Sequence, residues 1–147
     1  MARRPSSLVT IRPVRDLRLL PKAHLHTHLE STVRPGTIRD LGGVPLAEER
    51  PFTSFSEFAD QRAAVRALLR DRQHFRRIAE EFCQDEAAQG VRYAEVTFTA
   101  AAHGERLDDL EMPLEAVLEE LAVGAERYGI QTRVILDHSR RRPAERL

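Results

Sequence analysis

"LPKAHLHTHLESTVRP", residues 20–35, sets histidines at 24, 26 and 28 and a carboxylate at Glu30, each two positions from the next. Side chains alternate across a strand with a period of two. The spacing therefore predicts His24, His26 and His28 on one face, Leu25, Thr27 and Leu29 on the other, and Glu30 continuing the histidine face. Alternate strand residues stand about 6.6 to 6.8 Å apart and point the same way, which lets two imidazoles converge on one metal ion with bonds of about 2 Å. Taken alone, the pattern fits equally well a set of polar groups satisfied inside a core.

Working outward, Pro35 opens a short predicted helix that ends at the Gly42-Gly43 pair. Ser54 and Glu57 have the spacing of a capping box and mark the start of a second helix. Phe75, Ile78, Ala79, Phe82, Cys83 and Ala87 recur at three and four residues and make an apolar helical stripe that stops at Gly90. "VRYAEVTFT" from Val91 is rich in β-branched and aromatic residues and reads as a second strand. Residues 103–112 read as a polar, acidic loop. After Pro113, a stripe of Leu114, Val117, Leu118, Leu121, Ala122 and Ala125 predicts a helix closing at Gly129, and "TRVILD" predicts a third strand. Strands joined through helices imply a parallel α/β sheet with right-handed crossovers. Three strands leave such a sheet's edges uncovered, so the chain reads as the opening of a larger architecture.

The 147 residues, 41% of them hydrophobic, suffice for one core. Residues 1–19 mix Arg and Pro without period and read as a flexible arm, leaving 20–147 as a single, incomplete domain. Twenty-three basic and 23 acidic residues give a net charge of zero, which argues against nucleic-acid or anionic-membrane partners. "SRRRP" at 139–143 reads as a solvated basic loop, and no glycine-rich phosphate loop is present. Cys83 is the sole cysteine, which excludes an internal disulfide and a Cys-based zinc cluster and suits a reducing, cytoplasmic setting. It lies on an apolar stripe, where packing is its expected role.

Residues 20–35 resemble the opening of the adenosine deaminase family, of the form L-P-K-x-E-L-H-x-H-L-[DE]-G-[ST]-x-R-P. Leu20, Pro21, Lys22, Leu25, His26, His28, Leu29, Glu30, Arg34 and Pro35 match it. His24 stands where many members have glutamate, and Ser31 where glycine is usual. "GVRYAEVTFT" and "YGIQTRVILDHSRRRP" fall where the family carries its second and third barrel strands.

The resemblance implies the amino-terminal three-strand portion of a (β/α)8 TIM barrel, a metal-dependent hydrolase acting on the C–N bond of a cyclic amidine. Zinc-activated hydroxide would attack the amino-bearing carbon of adenosine, releasing ammonia and giving inosine. By position His26 and His28 are the zinc ligands, with His24 deeper in the barrel. Glu30, with His28, contacts the purine nucleoside, the glutamate through a sugar hydroxyl. Phe55 and Phe58, on the helix that would cap the barrel mouth, could close over the purine or equally be plain core. Neither a general acid nor the family's later ligands have a counterpart here, so no catalytic residue is assigned and the fragment is expected to be inactive alone. His74, His103 and Asp108-Asp109 are not recruited as substitutes, while His138 follows the third strand and could face the cavity. The alternatives are a non-catalytic remnant or interaction piece, and a fragment of a deaminase acting on adenine or another 6-aminopurine.

Overall fold

A computed structural model of the chain describes residues 16–45 and 51–137. Most of the expected arm, "SRRRP" and His138 lie outside the described residues. In order come a 3-10 turn at Leu17–Leu19, β1 (Lys22–His28), a second 3-10 turn at Leu29–Ser31, α1 (Pro35–Asp40), α2 (Phe55–Leu68), α3 (Arg72–Ala88), β2 (Val91–Phe98), α4 (Ala100–Leu107), α5 (Met112–Tyr128) and β3 (Gln131–Leu136). The strands form one parallel sheet in the order β1-β2-β3.

Local chemistry sets the helix ends. Ser54 Oγ accepts from Glu57 N at 3.1 Å, one half of the expected capping box, while the Glu57 carboxylate reaches one residue further back and accepts from Thr53 N at 2.8 Å. Asp71, a cap the apolar pattern did not reveal, accepts from His74 N at 3.0 Å and starts α3. Gly90 and Gly129 end α3 and α5 with φ of 81° and 65°, a region that only glycine enters without strain.

Much of the segment expected as a loop over 103–112 is instead helical. Ala100, Ala101 and Ala102 are strong helix formers, and they carry α4 as far as Leu107 before Asp108 turns the chain at φ 55°.

The β2 side chains Ala94, Val96 and Phe98 are fully buried against the helix layer, among Phe75, Ile78, Ala79 and Phe82 of α3 and Ala116, Val117 and Leu121 of α5. On α5 the packed face runs through Ala116, Val117, Glu120, Leu121 and Gly124, so Leu118 of the expected stripe is left 47% exposed. A Cβ on Gly124 would lie 2.6 Å from Cys83 Sγ, and this glycine is what lets α5 approach α3 so closely.

The first strand departs from simple alternation. His24 pairs with Ala94 and Thr27 with Val96, so β1 spends three steps where β2 spends two, and Leu25 and His26 together stand opposite Glu95. This bulge sends His24 to the helix side with Ala94, contrary to the single histidine face that an unbroken period predicts. There its Nδ1 bonds both carboxylate oxygens of Glu86 on α3, at 3.0 and 3.1 Å.

Candidate metal centre and substrate site

Beyond the bulge, alternation resumes and brings His26 and His28 together. Their ring centroids are 5.7 Å apart with planes inclined at 61°. His28 pairs with Thr97 of β2, on the sheet face turned away from the helices, and is partly buried. Burial first, then the Arg62 guanidinium, push its pKa below the ordinary histidine value against the pull of Asp137 and Glu30, so the ring is neutral at neutral pH. Arg62 of α2 donates from Nη2 to His28 Nδ1 at 2.9 Å, and Asp137 Oδ2 stands 4.0 Å from the same nitrogen.

Glu30 lies on the 3-10 turn that follows β1 and is buried, with 2% exposure. Its Oε1 accepts from Thr99 N at 3.1 Å and from His103 Nε2 at 3.2 Å. Burial opposes its ionisation, but the bonds from His103, its own backbone N–H and Thr99 outweigh that cost and hold the pKa below the usual glutamate range. His103 is fully buried on α4, stacked on Phe98 and edge-on to Phe75. Nothing in its sequence neighbourhood signalled this partnership, which depends on α4 folding back over the end of β1.

A buried polar atom without a partner is costly, and such atoms concentrate where a ligand is to supply the missing bond. Among the described residues they are Glu30 Oε2, Arg62 Nε, Thr99 Oγ1 and Asp137 Oδ1. Three of these residues follow the carboxyl ends of β1, β2 and β3, and the fourth reaches over them from α2. That is the end at which parallel α/β barrels assemble their sites. Beside it a cavity of about 260 Å³ is lined chiefly by apolar groups, including Val33, Ile38, Phe58 and Val65, with Glu30 and Arg62 as its charged members. Phe58 thus reaches the cavity, whereas Phe55 is 80% exposed.

Two imidazoles on one face, one of them held neutral, suit zinc in donor type. In number they fall short: among the described residues no three His, Cys, Asp or Glu side chains are gathered as a metal would require. His74 is occupied elsewhere, its Nδ1 accepting from Arg70 N at 3.1 Å. Asp108 and Asp109 belong to the turn after α4. Cys83 is buried and its thiol is pushed up to about 11 by burial first and by neighbouring glutamates, as befits packing rather than chemistry. Among the described residues no helix is long and apolar enough to cross a membrane.

Comparison with known proteins agrees with this fold. The adenosine deaminase family profile matches residues 21–147. An adenine deaminase of Streptomyces coelicolor is 33% identical over 145 residues, covering 91% of this chain and 43% of its own. An adenosine deaminase of Clostridium acetobutylicum is 28% identical over 142 residues, covering 86% and 42% respectively. The crystal structure of an adenine deaminase from Arthrobacter aurescens superposes with a TM-score of 0.69 at 32% identity, over 79% of this chain and 39% of that one. A zinc-bound amidohydrolase from Burkholderia ambifaria shares the fold, with a TM-score of 0.70 at 24% identity over 97% and 43%. The chain therefore spans about two fifths of the length of the curated relatives it matches. It belongs to the adenosine deaminase family of metal-dependent barrel hydrolases, as the amino-terminal part of that barrel.

Proposed function

We propose that these residues supply the first part of the active site of a hydrolase that removes the 6-amino group of a purine, adenosine or adenine, as ammonia. The observation that carries the reading is the convergence of orphaned polar atoms on the carboxyl ends of all three strands, beside two imidazoles whose centroids lie 5.7 Å apart. His26 and His28 would hold zinc. When bound, the ion supplies the Lewis acidity that makes water a nucleophile near neutral pH. Glu30 Oε2, buried and unpartnered, accepts a hydrogen bond from the substrate. Phe58, Val33 and Val65 exclude water from the purine; Arg62, which here donates to His28 Nδ1, would let go of that ring when the metal binds, because a ring nitrogen accepting a guanidinium N–H has no lone pair left for a cation. Asp137, with one free buried oxygen, is a further polar contact at the same mouth.

Adenine has specific support as substrate from the adenine deaminases at 33% and 32% identity, against 28% for the adenosine deaminase quoted above. The test is ammonia release from adenine and from adenosine by the full-length gene product, with and without zinc. Zinc-dependent release that disappears in His26→Ala and His28→Ala is expected, with the ratio of kcat/KM naming the substrate. Release that survives both substitutions contradicts the proposal. The 147-residue polypeptide by itself is expected to release none, because a catalytic zinc takes about three protein ligands.

A further inference from the structure

Glu30 has two oxygens with different fates. Oε1 accepts from Thr99 N at 3.1 Å and from His103 Nε2 at 3.2 Å, while Oε2, on a side chain with no exposed surface, has no hydrogen-bond partner. A carboxylate that only needed satisfying would share its donors between its oxygens. His103 is itself held on every side: its ring stacks on Phe98 at 5.3 Å and 16°, meets Phe75 edge-on at 4.9 Å and 86°, and is fully buried.

Its tautomer is fixed as well. Arg106 Nη2 lies 3.4 Å from His103 Nδ1 and also donates to Leu69 O. A guanidinium N–H can only donate, so Nδ1 accepts and the proton sits on Nε2, aimed at Glu30. The opposite tautomer would set two donors against each other at Arg106 and two acceptors against each other at Glu30.

We propose that His103 is a positioning residue for substrate recognition. By pinning Oε1, and with its own orientation set by Arg106 and the two phenylalanines, it leaves Oε2 of a cavity-lining carboxylate without a protein donor, as the acceptor for one N–H or O–H of the purine substrate. The inference rests on Glu30 being the substrate ligand, and it adds a residue from α4 that touches no substrate.

The test uses the full-length gene product, labelled with ¹⁵N-histidine for ring spectra and assayed with adenine and adenosine. His103 is expected to carry its proton on Nε2, with ring resonances that move in Glu30→Gln. His103→Leu, which keeps bulk but loses the donor, is expected to raise KM by about tenfold or more with a smaller change in kcat. His103→Gln, which restores an N–H near the Nε2 position, is expected to recover most of that loss. If deamination occurs but His103 is the Nδ1–H tautomer, or His103→Leu keeps the wild-type KM, this proposal is overturned and the assignment of function stands. If the unsubstituted protein deaminates no 6-aminopurine, the assignment itself is overturned and the substrate role of His103 with it. A loss in His103→Leu that His103→Gln does not recover, accompanied by an equal loss of melting temperature in both, marks a packing role and overturns the positioning role.

Discussion

At Glu30, desolvation raises the carboxyl pKa and hydrogen bonding lowers it, and the bonds prevail. A group whose folded pKa lies below its unfolded value contributes stability that is present above the ordinary glutamate range and is lost as pH falls through the lowered value. Glu30→Gln is therefore expected to flatten the acid limb of the stability curve, read as denaturant midpoint against pH; an unchanged limb would contradict the ionised assignment. His24 belongs to a different circuit. Its ring holds Glu86, whose side chain is 9% exposed, so His24→Ala leaves a nearly buried carboxylate without that partner. Because His24 itself is 40% exposed, the cost is expected near the low end, about 1 kcal/mol by chemical denaturation, with zinc binding unaffected. Sequence told His26 and His28 apart from the other histidines through the H-x-H spacing and the motif around it. It set His24 apart as a non-ligand but could not place it on the opposite sheet face, because a strand's period is legible in sequence and a bulge that breaks the period is not.

Elements were legible where periodicity and terminal chemistry agreed. The α3 stripe, the Ser54 cap and the closing glycines of α3 and α5 all stand as read. Helix α4 departs from the reading because its three opening alanines favour helix without marking an apolar face, and its burial of His103 under the end of β1 adds a tertiary contact that no local pattern announces. That miss also hid the partner of Glu30. Helices α3 and α5 approach each other tightly at Cys83 and Gly124, where an added methyl would lie 2.6 Å from Sγ and 2.8 Å from the cysteine Cβ. Gly124→Ala is expected to destabilise by about 1–3 kcal/mol through overpacking. Cys83→Ala removes the nearer of the two obstructing atoms and keeps the Cβ, so the double variant should lose somewhat less than the sum of the two single losses. Strict additivity in thermal denaturation would show that the sulfur is not what resists the added methyl.

Across the molecule, β2 is paired on both sides, whereas β1 and β3 each pair on one side among the described residues. Leu25, Ile135 and Leu136 are 58%, 44% and 58% exposed near those outer strands, a pattern that suits a sheet continued by further barrel strands. The parallel order and the site at the strand ends follow from the alternation of strand and helix patterns, which is why the architecture could be read from one chain without its neighbours. The site's polar convergence could not, because it joins residues far apart in the chain, Glu30 with His103 73 positions on and His28 with Asp137 further still. One cation is expected to bind between His26 and His28. Following the histidine ring ¹⁵N resonances while zinc is added registers weak binding as well as tight. His26 and His28 should shift together along one saturation curve while His24 and His103 stay still; His24 moving with them, or either of the two moving without the other, would rule out a shared cation.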